Sequence, residues 1–182
     1  FTSPEHNFEK NKGGGLYKLD TKSNKVEKVI SGKFRGITKF KEGYIVNDML
    51  MGAKIYDKNF KLIKIIKLKK NCEAHGNYFC PFDKKLYVAQ PGRDSIGIYN
   101  LNKNSIEEIF ISSKWKKNKK DNHHINDLYV NEHSIFVSMF SLSGNWMNDV
   151  YDGSIIEISK KTKKITGVLS TNLWMPHSVN YI

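Results

Sequence analysis

Hydrophobic and polar positions alternate in short runs along the whole chain, and the runs recur in a fixed order. The plainest copy begins at His75: HGNYFCPF, then KKLYVAQ, then SIGIYNL, then SIEEIFIS. The copy before it reads RGITKF, EGYIVND, AKIYDK and KLIKIIKL, and the copy after it reads HINDLYV, HSIFVSMF, GSIIEIS and KITGVLS. Each run is rich in Val, Ile, Tyr and Phe and is bounded by Asp, Asn, Lys or Gly, which is the chemistry of strands separated by turns. Helical periodicity is absent throughout. The residues that open the copies, Arg35, His75, His124 and His177, stand 40, 49 and 53 positions apart. That spacing suits one four-stranded unit per roughly 40 to 50 residues.

Radial repetition of four-stranded sheets predicts an all-β fold, a β-propeller with about four four-stranded blades. A β-sandwich gives no reason for the same cassette to return in register. The expected blade parts within a single domain or fragment, 1–182, are approximately 1–32, 33–71, 72–121, 122–172 and 173–182. GGGLYKLD and KVEKVIS read as the third and fourth strands of a first blade, with Phe1 to Pro4 closing its second, and PHSVNYI reads as the first strand of a last one. Pairing of PHSVNYI with the N-terminal strands would close four blades on themselves. The stop in mid-strand favours the other arrangement, in which these blades are part of a larger ring of six to eight.

Composition removes several functions. At 182 residues, 39% hydrophobic and 12% aromatic, the chain has the apolar content of a folded domain. It holds no apolar run long enough for a membrane helix, so no membrane span is expected. The formal charge of +12 raises a nucleic-acid reading, yet only Arg35 and Arg93 among the 30 basic residues are arginines. Recognition of bases and phosphates favours the bidentate guanidinium. The lysines also fall mostly at turns, so the expected surface is solvated and no nucleic-acid partner is expected. One true cluster stands apart, Lys114, Lys116, Lys117, Lys119 and Lys120 around Trp115, a candidate anion-binding loop. Cys72 and Cys80 form neither a metal motif nor a disulfide framework. Free buried thiols are expected, which favours a reducing compartment, the cytoplasm.

Blade geometry converts spacing into location. Strand-opening residues and second-to-third connections emerge on one face, at the mouth of the central channel. That face gathers Arg35, His75, His124 and His177 with the loops Asp48–Gly52, Gln90–Asp94, Ser112–Asn122 and Ser141–Asp152. Imidazole is both a metal ligand and an acid–base group near neutral pH. His75, His124 and His177 are therefore candidates to hold a divalent metal ion. Asn126 and Asp127, two and three residues further in, are candidate oxygen ligands or ligand contacts. The alternative is that polar residues opening inner strands tie neighbouring blades through hydrogen bonds. His123 and His133 fall outside the register and are expected at the surface. The longest connection, SLSGNWMNDVYDG, carries Trp146, a candidate ligand contact or a blade-interface residue. Gly13–Gly15 is a turn and not a phosphate loop, and no nucleophile elbow is present.

The strings His124-Ile125-Asn126-Asp127-Leu128, Ser143-Gly144-Asn145-Trp146 and Leu173-Trp174-Met175-Pro176-His177-Ser178 resemble a group of uncharacterised bacterial β-propeller proteins, over about 122–182. The resemblance implies a propeller longer than this chain and no established activity. More loosely, Pro176-His177 and His75-Gly76 are similar to inner-strand openings of six-bladed lactonase and NHL-type propellers, which often hold calcium in the channel. This sequence lacks a clear Glu at an inner-strand opening, which puts such a site in doubt. Three functions stay open: a module binding a small molecule, glycan or protein; a metal-dependent hydrolase or lyase with a His-lined centre, its metal activating a water; and a scaffold with structural histidines.

Overall fold

The computed structural model describes residues 1–7, 12–103 and 105–180. The described residues are built almost wholly of antiparallel strands and fall into two compact units, Phe1–Leu68 and Lys69–Ile182. None of their helices is long and apolar enough to cross a membrane.

The first unit holds two sheets. Strands β1 (Thr2–Asn7), β2 (Lys12–Asp20) and β3 (Lys25–Ser31) make a three-stranded meander. Strands β4 (Phe34–Phe40), β5 (Gly43–Asp48), β6 (Gly52–Tyr56) and β7 (Leu62–Ile66) make a four-stranded one in chain order. Leu16, Phe34, Val46 and Tyr56 form its dry core. Gly43, opening β5, must lack a side chain, because a Cβ there would lie 2.9 Å from the Asp57 backbone.

The second unit repeats the plan twice. Strands β8 (Asn77–Cys80), β9 (Lys85–Gln90), β10 (Ser95–Asn100) and β11 (Ser105–Phe110) form one sheet. Strands β12 (Ile125–Val130), β13 (Ser134–Met139), β14 (Gly153–Ser159) and β15 (Ile165–Leu173) form the other. Alternation sets what lies between them. Ala89 and Ile96 from the first sheet meet Ile125, Leu128, Val137, Met139 and Ile156 from the second, all at 2% exposure or less. Burial falls off along each sheet: β9 and β13 are nearly covered, whereas β11 and β15 show most of their residues to solvent. Glu107 and Glu108 on β11 suit an exposed edge. Cys72 and Cys80 are free and buried, as expected.

Two expectations at the level of elements need correction. PHSVNYI does not form a strand over 176–180, and its last two residues lie outside the described ones. The backbone there turns left-handed at Met175 and Ser178, which breaks an extended run. The Ser112–Asn122 connection also contains a short helix, α1 (Lys114–Asn118). A single turn is too short to register as helical periodicity. It is held by tertiary contacts: Trp115 stacks on Phe110 at 5.3 Å and donates its indole N–H to the Gly92 carbonyl at 3.1 Å.

The seam gives a direct test. Ile156→Ala should lower the unfolding free energy by about 2–5 kcal/mol, the usual range for emptying a core site. Leu169→Ala, at a position 56% exposed, should cost less than about 1 kcal/mol. Urea unfolding of both variants checks the pair.

Candidate functional site

The first strands β8 and β12 bring their opening residues together. Gly76 donates its backbone N–H to the Asn126 carbonyl at 2.8 Å. A Cβ on Gly76 would lie 2.8 Å from the Asp127 Cα, so glycine is what permits this approach. Beside that bond the Asn126 amide meets His75 Nδ1 at 3.2 Å, both side chains buried. His75 and Asn126 therefore join the two sheets.

His124 sits one residue before β12 with φ at +47°, an uncommon backbone for a residue carrying a Cβ. Asp121 explains it. The carboxylate accepts the His124 backbone N–H at 2.9 Å on one oxygen and pairs with ring Nδ1 at 2.5 Å on the other. With the carboxylate accepting at Nδ1, the neutral ring keeps its proton there and offers Nε2 as the basic nitrogen. The ring lies 4.0 Å from Trp146 in a stacked arrangement, 4.6 Å from Phe140, and 5.0 Å from His75, which it meets edge-on. Trp146 reaches it from a 3-10 turn, Trp146–Asn148, whose first amide is anchored on the Asn122 carbonyl.

Asp127 and His177 complete the cluster. Burial pushes the Asp127 carboxyl above the ordinary carboxylate range, opposed by amide donation from Leu128 and Ser178 and by the His177 imidazole. His177 is exposed, with Nδ1 2.7 Å from the Met175 carbonyl and its ring 5.2 Å from Phe140. Left-handed residues flank it at Met175 and Ser178. His75, His124, Asn126, Asp127, Trp146 and His177 thus gather in the second unit. Arg35 belongs to the first unit, where it lies in β4 with its Nε 3.3 Å from the Met49 sulfur.

Among the described residues, no group of three or more His, Cys, Asp or Glu is arranged to hold a metal ion. The expected set His75, His124 and His177 does not fit one. His75 and His124 meet ring edge to ring face, with centroids 5.0 Å apart.

His123 corrects a further expectation. It is buried, whereas His133 is exposed as its register implied. Asp94 accepts the His123 backbone N–H at 3.1 Å and holds ring Nδ1 at 2.7 Å. The far side of the ring is closed by Gly144 (φ +67°), where a Cβ would lie 2.7 Å from Nε2. Asp94 and His123 lie 29 residues apart, so no local pattern announces them. Asp121 also escaped the sequence reading, although its place three residues before His124 was an available signal.

These bonds also draw three connections together: Gln90–Asp94 through Asp94, Ser112–Asn122 through Trp115 and Asn122, and Ser141–Asp152 through Gly144 and Trp146. The sheets superpose on those of solved structures. An auxiliary nutrient binding protein from Bacteroides thetaiotaomicron superposes with a TM-score of 0.61 at 14% identity over 93% of this chain. A gluconolactonase from Xanthomonas campestris does so at 0.54, 12% and 72%, and virginiamycin B lyase from Staphylococcus aureus at 0.54, 10% and 80%. The fold is β-propeller-like. At these identities the likeness is one of fold. The chain spans 39%, 46% and 45% of those three chains. No family model matches the sequence, and no curated protein matches it.

The raised Asp127 carboxyl fixes a pH dependence. A group that binds its proton more tightly when folded contributes stability below its unfolded pKa, about 3.9, and loses it as pH rises through the folded value. Asp127→Asn removes the buried charge. The variant should therefore gain stability over the parent at neutral pH, and the gain should vanish below about pH 4. Urea midpoints across that range check it; a gap that stays constant with pH would contradict the assignment.

Proposed function

We propose that the second unit binds a small molecule or glycan on the face formed by His75, His124, Asn126, Asp127, Trp146 and His177. The observation that carries this reading is the His124 ring, oriented by Asp121 and stacked under Trp146. Apolar ring faces with a few fixed polar groups are the usual makeup of a small-molecule site. An aromatic rim supports it further: Trp174 is 73% exposed and packs on Tyr151 at 4.8 Å, three residues from His177.

A catalytic reading has one specific observation in its favour. Asp127, raised by burial, stands beside His177, with the Asp121–His124 pair nearby. Two carboxyl–imidazole neighbours in different environments are the material of a general acid and a general base. The activity would be that of a lyase or hydrolase without a metal held by the histidines. The gluconolactonase and lyase neighbours share the fold with this reading and no more. The four sheets would serve as consecutive blades in a ring of six to eight, which agrees with the greater length of those neighbours. The free thiols, with that of Cys72 raised by burial, suit a reducing compartment such as the cytoplasm.

A panel of sugars, lactones and small metabolites screened by thermal shift, with hits measured by calorimetry, tests both readings. Trp146→Ala should weaken a hit at least tenfold, about 1.4 kcal/mol. Phe82→Ala, an exposed turn substitution, should leave it unchanged. A hit indifferent to Trp146→Ala would place the ligand elsewhere and sink the proposal. Turnover lost in His124→Asn with binding retained would select the catalytic reading.

A further inference from the structure

The lysine-rich stretch around Trp115 divides into two sets, and the division follows the helical turn. Lys116 lies over the Phe110 ring at 5.7 Å, and Lys119 over the Trp115 ring at 4.1 Å. Arg93 covers the same indole at 4.7 Å. Those cations serve the aromatic side of α1. Lys114, Lys117 and Lys120, spaced by three, serve the other side, where they line a cleft of about 320 Å³. Its remaining lining is Asn118, Asn122, Asn145, Asn148, Gly144 and Met147.

This cleft has no acidic residue in its walls. Lys114 is half-buried, and its ammonium is held by the carbonyls of Ser143 at 2.6 Å and Gly144 at 3.1 Å. Carbonyl dipoles orient that charge without neutralising it. Among the described residues, neither Lys117 nor Lys120 is paired with a carboxylate. Three lysines therefore line one small volume that has no carboxylate among its walls. The position of the walls is fixed. Asn118 and Asn122 are joined at 2.7 Å, Asn122 also bonds the Lys120 carbonyl at 2.7 Å, and Trp115 pins α1 to Gly92.

From this we infer that the cleft binds a phosphate group, free or carried on a small polyol. Lysine acts on phosphate as a point charge, and two or three such charges match a dianion. The carboxamides supply donors and acceptors for hydroxyl groups next to it. The size limits the ligand to a small molecule, and the lining has no aromatic face on which a nucleobase could stack. The cleft shares the Trp146–Asn148 turn and Asn122 with the imidazole cluster but none of the side chains proposed to bind there, so its own lysines test it separately.

Calorimetry at low salt with inorganic phosphate, glucose 6-phosphate and glucose tests the assignment and separates the two phosphate sources. Wild-type protein should bind glucose 6-phosphate at millimolar concentration or below and ignore glucose. Comparable binding of inorganic phosphate would mean that the phosphate alone is recognised, whereas markedly tighter glucose 6-phosphate would show that the asparagines read the sugar. Lys117→Gln/Lys120→Gln should weaken binding at least tenfold. Lys103→Gln/Lys116→Gln removes the same charge away from the cleft and should leave binding within about twofold, the loss expected from screened surface charge. Thermal melts confirm that both variants fold. Absence of phosphate binding in the wild type, or equal loss in the two double variants, would overturn the inference.

Discussion

The second unit depends on one hydrophobic seam, where Ile96 of one four-stranded sheet packs in a single cluster with Val137, Met139 and Ile156 of the other. Each such side chain contributes about 1.5–3 kcal/mol when removed from water. The seam does more than stabilise. It fixes how far β8 stands from β12, and so makes possible the close backbone approach of Gly76 to Asn126. Every functional candidate in this unit sits on or just before one of those two strands, or is carried to them by a loop.

Above the seam the chain uses one device twice. Asp94 and Asp121 each clamp a histidine through its backbone N–H and its Nδ1, and the two histidines are adjacent in sequence. Their surroundings give them different work. His123 is sealed under Gly144, so its pair with Asp94 fastens the Ser112–Asn122 connection to the preceding sheet. His124 turns the opposite way through its left-handed backbone and lies among rings instead. The visible effect of each imidazole–carboxylate pair is to set the direction of its ring.

The repeated cassette made the strands legible, because hydrophobic alternation and turn residues act locally. It also placed His75, His124, Asn126, Asp127, Trp146 and His177 near one another, since strand-opening positions follow from the repeat. What it could not carry were contacts between distant segments. His123 looked like a surface residue because its partner, Asp94, lies on another connection. The helix α1 was hidden for a similar reason: its stability comes from Trp115 packed against Phe110 and Gly92, not from its own five residues. The histidine set suggested a metal centre by residue type and by register, and only ring orientation could speak to that.

The stack of Trp146 on His124 has an optical consequence. An indole 4.0 Å from an imidazole emits differently when that ring gains a proton, because the cation accepts an electron from the excited indole more readily than the neutral ring does. The same contact that shapes the face thus builds a fluorophore into it. Whatever displaces the Trp146 turn, or alters the charge on the ring beneath, writes itself into the emission of the protein without any label.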